Sequence, residues 1–195
     1  MPMSPDAPPS PPRPALGFLA RLLHRGRRWM TLRRLARRPQ PPSLLFLCHG
    51  NLCRSPFAAG AARRLLPAYV DVASAGFLAA GRRSPSDAVA AAAELGVDLA
   101  GHRSQLITGA HLVNTDLVVV MDREQRRRVL AMRPGLAGRV LLLGDLDPEP
   151  GPWRDVPDPV NQPLDAFRSA YARIDRCVRS LVSPWREGAG RETGV

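Results

Sequence analysis

Apolar runs alternate with amphipathic segments along most of the chain. Four short runs rich in Leu, Val and Ala predict strands buried on both faces, because parallel strands covered by helices form nearly continuous apolar stretches. A segment with apolar residues three or four positions apart follows each run and predicts a helix. The predicted strands are 44–48, 69–76, 115–122 and 139–146, and the predicted helices are 55–66, 84–96, 123–132 and 163–182. This order predicts a three-layer α/β/α fold with a four-stranded parallel doubly wound sheet.

The first 42 residues do not follow this alternation. Residues 1–14 hold seven prolines, and because proline lacks an N–H donor we expect neither helix nor sheet there. Residues 15–38 place apolar side chains near helical spacing with arginines between them, which predicts either a basic amphipathic helix or a disordered segment. The prolines of 39–42 are typical of a linker. We therefore expect an N-terminal extension over 1–42, a globular domain over 43–184 and a disordered tail over 185–195.

Composition supports one folded domain with a basic extension. Of the 195 residues, 45% are hydrophobic, and the formal net charge is +11. All 28 basic residues are arginine, and the first 42 residues hold nine of them against one Asp (+8), which leaves only +3 for the rest. With 5% aromatic residues and no interleaving of basic and aromatic positions, we expect no nucleic-acid partner. No apolar stretch approaches the roughly 20 residues that span a bilayer, and we expect no secretory signal.

The chemistry is concentrated in "CHGNLCRS", where the first predicted strand meets a helix. Ligands of doubly wound sheets bind beyond the carboxyl ends of the strands. Gly50 and Asn51 tolerate left-handed backbone, so successive N–H groups can converge on an anion at the helix N-terminus. Arg54 offers a planar fork for two phosphate oxygens. In this positive field Cys48 is expected as a thiolate nucleophile towards phosphorus, with Ser55 donating a hydrogen bond to its sulfur.

The chain has three cysteines, an odd number that does not suit a disulfide scaffold. Cys53 flanks the expected nucleophile in a tight loop. It either forms a reversible disulfide with Cys48 that protects the nucleophile from over-oxidation, or serves as a small packing residue. Cys177 is expected in the core of the last helix. The four histidines are scattered and there is no Cys-x-x-Cys pair, so we expect no metal and no cofactor.

The stretch "LLFLCHGNLCRSP" resembles the phosphate-binding loop of the low-molecular-weight protein tyrosine phosphatase family. The likeness covers about residues 43–182, with further matches at "SAG" (74–76), "HRS" (102–104), "DLVVVMD" (116–122) and "PDP" (157–159). It implies that Cys48 is the nucleophile, that Asp158 is the general acid, and that Asn51, Ser74 and His102 brace the loop. It also implies a phosphate-binding loop formed by His49, Gly50, Asn51, Leu52, Cys53, Arg54 and Ser55.

Four positions depart from the family pattern. Members usually carry aromatic residues after the Asp-Pro, where this chain has Val160 and Asn161, which cannot stack on a substrate ring. Gln125 and Gln105 stand where the family often has Asn and Arg. The aromatic wall of the pocket must come from elsewhere, or substrate preference is altered.

The expected function is phosphomonoester hydrolysis through a phosphocysteine intermediate, with phosphotyrosine protein as substrate. Two alternatives use the same fold. A protein arginine phosphatase has a similar loop with Thr where Leu52 stands, and an arsenate reductase of the thioredoxin-coupled type needs downstream cysteines that residues 77–115 lack. An alternative of another class is a basic membrane-surface adaptor without turnover, which would not require Cys48, Arg54 and Asp158 together.

The expected partners follow from the resemblance and from the basic extension. In bacterial relatives the substrate is often a tyrosine kinase, which makes such a kinase one candidate. Three interpretations of residues 15–38 stay open: a contact with an anionic membrane surface, a disordered tail, or an upstream region that is not translated if Met30 is the start. The expected location is therefore the cytoplasm, with peripheral membrane attachment as an option.

Overall fold

We describe the protein from a computed structural model, over residues 17–149 and 153–186. The proline-rich stretch 1–14 and most of the tail predicted from 185 onwards lie outside the described residues.

A four-stranded parallel sheet forms the centre of the fold. Its strands are β1 (Leu44–Cys48), β2 (Val72–Gly76), β3 (Leu117–Val120) and β4 (Val140–Leu142), in the order β2–β1–β3–β4. Every adjacent pair is parallel, and Leu44 of β1 lies opposite Val72 on one side and Leu117 on the other. The strand order reverses at β1, which confirms the predicted doubly wound sheet. The carboxyl end of β1 is therefore the expected ligand position.

Helices cover both faces of the sheet. They are α1 (Phe18–Ala36), α2 (Arg54–Arg63), α3 (Ser86–Glu94), α4 (Gly109–Val113), α5 (Arg123–Met132) and α6 (Leu164–Arg186). Alternate residues of β1 point to opposite faces. Phe46 packs in a core with α2, α3 and α6, whereas Leu45 and Leu47 pack in a second core with residues of α4 and α5. This arrangement confirms the three layers expected from the sequence.

Some elements differ in extent from the sequence prediction. β2 begins at Val72 rather than 69, because the preceding residues form a turn in which the N–H of Val70 donates to the carbonyl of Pro67 at 3.0 Å. β4 ends at Leu142 because Leu143–Leu146 form a 3₁₀ turn. Gly144 in this turn approaches the backbone so closely that a Cβ would lie 1.9 Å from the carbonyl oxygen of Arg154.

The helices also differ in two places. The sequence pattern missed α4, a five-residue helix whose first turn is capped by Thr108 and His111. α6 continues to Arg186, and Trp185 is buried at its end. The packed part of the last helix thus passes the domain limit expected at 184.

The segment 15–38 contains helix α1, which packs along α6 and the 3₁₀ turn after β4. Leu35 is buried in the core that contains Phe46, and His24, in the first half of the helix, is buried as well. This part of the N-terminal extension therefore lies against the globular domain as a structured layer. Within 17–149 and 153–186, none of the helices is both long and apolar enough to cross a membrane.

Candidate active site

The loop after β1 turns sharply into α2. Asn51 adopts φ 52°, in the left-handed region that the sequence suggested for this position. Helix α2 starts at Arg54, so the N–H groups of the loop precede a helix N-terminus. Cys48, Leu52, Cys53 and Arg54 are all buried. Most of the loop is thus anchored in the core, while His49 is exposed and Gly50 is half-buried.

The sulfur of Cys48 accepts a hydrogen bond from the hydroxyl group of Ser55. The Oγ of Ser55 donates to Cys48 Sγ at 3.0 Å, and both residues are buried. The Ser55 Oγ also accepts a hydrogen bond from Nδ2 of Asn51 at 2.9 Å. The sulfur and its donor are therefore held in place by the loop itself.

Asn51 is the centre of the hydrogen bonds that fix the loop. Besides Ser55, its Nδ2 donates to Ser74 Oγ at 3.0 Å, and its Oδ1 accepts from the N–H of Gln105 at 2.7 Å. Its carbonyl oxygen lies 2.7 Å from His102 Nε2, which must be the donor because a carbonyl can only accept. The structure thus brings Asn51, Ser74 and His102 together. Gln105 takes part through its backbone, so this contact does not require a particular side chain there.

Gly76 at the end of β2 lies directly beneath this loop. A Cβ at Gly76 would be 2.7 Å from the Asn51 nitrogen and 2.9 Å from the Gly50 carbonyl carbon. The neighbouring Phe77 N–H donates to the His49 carbonyl at 2.8 Å. The sheet edge and the loop are therefore in backbone-to-backbone contact, which only glycine permits at this position.

Arg54 joins the loop to the segment that carries Asp158. Its Nη2 pairs with the Asp158 carboxylate, and its Nη1 donates to the Val156 carbonyl at 2.9 Å. The same Nη1 lies 3.5 Å from Asp122 Oδ2. Its Nε is buried and has no partner among residues 17–149 and 153–186. The structure therefore places the three residues expected to perform catalysis, Cys48, Arg54 and Asp158, in one site.

Asp122 was not expected in the site. It caps α5, accepting from the Gln125 N–H at 2.8 Å, and it also faces Arg54. The side chain of Gln125 in turn accepts from the Met121 N–H at 2.9 Å. Gln125, one of the positions that depart from the family pattern, therefore makes its contacts within the cap of α5. An Asp directly after an apolar strand and before a helix is a cap signal, but the contact with Arg54 depends on the tertiary fold.

The segment before Asp158 is tied down on two sides. The Val156 N–H donates to the Met121 carbonyl at 2.8 Å, and Asp155 accepts from the N–H and side chain of Arg123 at 3.1–3.2 Å. The Asp158 side chain itself remains 36% exposed. Its carboxylate is thus accessible from solvent while its backbone is anchored.

Cys53 lies on the buried side of the loop. Both it and Cys48 are free thiols in the structure. Burial, together with the nearby Cys48 and Asp158, raises the pKa of Cys53 to about 12. Close by, Tyr171 stacks on Phe57 at 4.1 Å between ring centroids, and burial raises its pKa as well. The environment of Cys53 therefore favours its neutral thiol, and the reversible disulfide with Cys48 stays a prediction.

No group of three or more His, Cys, Asp or Glu residues with metal-binding geometry occurs in the described part of the chain. The arrangement instead combines a thiol, a guanidinium and a carboxyl group around an anion-binding turn. This set is suited to nucleophilic attack on a phosphate ester.

Comparisons with known proteins agree with this chemistry. Residues 43–189 match the model of the family described as low molecular weight phosphotyrosine protein phosphatase. The chain is 37% identical over 141 residues to the probable low molecular weight protein-tyrosine-phosphatase EpsP of Ralstonia solanacearum, covering 72% of this chain and 93% of that protein.

Solved structures share the fold. The tyrosine phosphatase AmsI of Erwinia amylovora superposes with a TM-score of 0.66 at 30% identity, over 72% of this chain and 91% of that one. The YwlE arginine phosphatase from Geobacillus stearothermophilus superposes with a TM-score of 0.68 at 24% identity, over 80% of this chain and 99% of that one. At this identity the similarity is one of fold. On the family match and the identity to EpsP, the chain belongs to the low molecular weight phosphotyrosine protein phosphatase family.

Proposed function

We propose that the protein hydrolyses phosphotyrosine in proteins through a phosphocysteine intermediate at Cys48. The observation that carries the proposal is the meeting of Cys48, Ser55, Arg54 and Asp158 around one anion-binding turn, with Ser55 Oγ 3.0 Å from the Cys48 sulfur. The buried Nε of Arg54 adds a donor that an oxyanion would satisfy.

In the first step the Cys48 thiolate attacks phosphorus and the bond to the tyrosyl oxygen breaks. Arg54 and the loop N–H groups stabilise the charge on the non-bridging oxygens. Asp158, as a carboxylic acid, gives its proton to the departing oxygen, which would otherwise leave as a poor anionic leaving group. The products of this step are tyrosine and a phosphocysteine.

In the second step a water molecule attacks the phosphocysteine. The Asp158 carboxylate accepts a proton from this water, and the sulfur leaves as a thiolate that the Ser55 hydroxyl stabilises. Inorganic phosphate is released, and Asp158 returns to its protonated form. The cycle combines Cys48, Asp158, Arg54 and Ser55 with the loop N–H groups and one water molecule.

The test of this proposal compares phosphotyrosine, phosphoarginine and phosphoserine peptides on one purified sample. We expect phosphotyrosine to be turned over fastest. Cys48→Ser should lose activity by several orders of magnitude, because it removes the nucleophile, while still binding phosphate analogues. Residual activity above roughly one per cent of the wild type would contradict a phosphocysteine route.

Leu52 favours phosphotyrosine over phosphoarginine in this proposal. Its apolar side chain is buried with the loop, and a Cβ on Gly50 would lie 3.5 Å from it and 3.9 Å from Leu78. Leu78 is partly exposed and offers an apolar surface in place of the aromatic residues absent at Val160 and Asn161. An arginine phosphatase has Thr at this loop position, where a hydroxyl can approach a guanidino group.

Leu52→Thr should therefore raise the ratio of phosphoarginine to phosphotyrosine turnover. The ratio is measured on paired peptides that differ only in the phosphorylated residue. Leu52→Ile serves as the control, because it keeps an apolar side chain of equal size. Comparable rates of the wild type on both peptides would contradict the assigned preference.

The proposed partner is a phosphotyrosyl protein, and a tyrosine kinase is one candidate. Relatives such as Wzb and Etp of Escherichia coli are named as low molecular weight protein-tyrosine-phosphatases, which supports this class of substrate. The proposed location is cytoplasmic, with attachment to an anionic membrane surface through residues 15–38.

A further inference from the structure

Helix α1 turns several polar residues towards the domain and an apolar face towards solvent. Its polar residues His24, Arg27, Arg28 and Thr31 are buried or half-buried against the domain. Leu35 and, in part, Leu32 pack against the core, but the other large apolar residues face solvent, with Phe18 79% and Trp29 58% exposed. These residues form the outward face: Phe18, Leu19, Leu22, Leu23, Trp29 and Met30. Surface helices normally bury such side chains, so the outward face is an unpartnered apolar surface.

Specific hydrogen bonds hold α1 in this orientation. His24 Nε2 lies 2.7 Å from the Asp147 carbonyl oxygen and donates to it. Arg28 donates to the Leu146 carbonyl and to Ser180 Oγ, both at 3.2 Å. Turning the apolar face inwards would break these bonds and leave buried polar groups unpaired. The outward face is therefore a built feature of the fold.

The outward face is bordered by positive charge. Arg25 and Arg34 flank it, and the guanidinium of Arg33 lies 5.0 Å from the ring centroid of Trp29. The helix contains no Asp or Glu. Across residues 17–149 and 153–186, no acidic side chain lies within ion-pair distance of these three arginines. Apolar residues between arginines are the pattern of a helix that lies in a lipid interface.

We propose that the outward face docks on an anionic lipid bilayer, with its apolar side chains at the acyl boundary and its arginines on lipid phosphates. Charge complementarity decides the occupant. A second copy of this chain would oppose two arginine-rich faces that contain no acidic residue, whereas an anionic leaflet supplies the missing charge. The inner hydrogen bonds stay intact on docking, so the domain is held in one orientation to the surface. This inference deepens the membrane attachment proposed above and does not depend on the proposed phosphatase activity.

The test is co-sedimentation of the full chain with two kinds of vesicle, phosphatidylcholine alone and an equal mixture with phosphatidylglycerol. We expect the protein to pellet with the anionic vesicles and to be released by salt, which screens the arginines. The double variant Leu22→Ser/Trp29→Ser should reduce the partition coefficient about tenfold or more. Tyr69→Ser is the matched control, because it removes another exposed aromatic residue away from α1 and should change nothing.

The charge contribution is tested separately. Arg25→Gln and Arg34→Gln should each weaken binding to anionic vesicles about fivefold. The pair Arg126→Gln/Arg133→Gln changes exposed arginines outside α1 and serves as the control. None of these residues belongs to the phosphate-binding loop, so turnover of p-nitrophenyl phosphate without lipid should stay unchanged, which also confirms correct folding.

The orientation is tested by quenching with brominated lipid. We expect the quencher to reduce tryptophan emission of the wild type but hardly that of Trp29→Phe, which should still bind because phenylalanine also inserts. Equal pelleting of the Leu22→Ser/Trp29→Ser variant and the wild type would overturn the proposal. Equal binding to neutral and anionic vesicles would do the same. A dimer seen by sedimentation velocity without lipid, and absent in the Leu22→Ser/Trp29→Ser variant, would also overturn the proposal. The outward face would then bind a second copy of the chain.

Discussion

At the scale of single residues, Asn51 combines two properties that the loop needs. Its backbone accepts φ 52°, and its side chain bonds to Ser55, Ser74 and the backbone of Gln105. Glycine would supply only the first property, and alanine would supply neither. The two properties can therefore be separated by substitution.

Asn51→Gly and Asn51→Ala should both lower kcat by roughly tenfold to a hundredfold, because the loop donors lose their fixed positions. Asn51→Ala should also be less stable than Asn51→Gly by about 1 kcal/mol, the cost of a left-handed alanine. Steady-state kinetics and urea unfolding measure the two effects. Wild-type kcat in Asn51→Gly would show that the side-chain bonds are not needed for catalysis.

At the scale of elements, the segment from Asp155 to Asp158 acts as an anchored arm that carries the proposed general acid. Asp155 fastens it to Arg123 at the start of α5, and Val156 fastens it to Met121 at the end of β3. The position of the acid beside Arg54 therefore depends on contacts with the neighbouring strand and helix.

Loosening this arm should reproduce part of the effect of removing the acid. Asp158→Ala should lower kcat by about two to four orders of magnitude on substrates with basic leaving groups, and far less on p-nitrophenyl phosphate. Asp155→Ala should show the same selectivity with a smaller loss, about tenfold. Glu124→Ala, which removes an exposed acid paired with Arg127 on the same helix, is the control. An equal loss on both substrates would assign Asp155 a general structural role.

The elements that the sequence predicted best are those whose signal is local. The apolar run 44–48 and the Gly-Asn turn predict β1 and its loop from local sequence alone. Helix α4 was not predicted because five residues are too few to show a helical period. The inward polar face of α1 could not be predicted either, since it depends on the carbonyl of Asp147, 123 positions away. In the site, the same limit applies to Asp122 beside Arg54, a contact between distant segments.

At the scale of the whole molecule, three buried weak acids in the described part of the chain have raised pKa values. Burial raises the pKa of Cys53, of Cys177 at the centre of α6 and of Tyr171. Above the ordinary pKa of a thiol, the unfolded chain releases protons that the folded chain retains. The stabilisation from these groups is therefore complete below about pH 9 and decreases as pH rises towards the folded values.

The free energy of unfolding should accordingly fall between about pH 9 and pH 11, by up to about 1.4 kcal/mol per pH unit for each of the thiols of Cys53 and Cys177. Cys177→Ala should be less stable at neutral pH but show a shallower alkaline decline. Tyr69→Phe removes a phenol from the surface and should keep the wild-type slope. Urea unfolding followed by circular dichroism measures both. Identical slopes in Cys177→Ala and the wild type would contradict this linkage.

Gly76 has a consequence for how such a protein can change by descent. No side chain fits between β2 and the backbone of Gly50 and Asn51. The loop conformation therefore requires glycine at the end of β2, and the two must be kept together when the sequence changes. A chimera that receives residues 48–55 on a scaffold with a larger residue at position 76 should fold with a displaced loop and little turnover. The same chimera with glycine restored should regain it. A transplanted loop therefore works only on a scaffold with glycine at the position of Gly76.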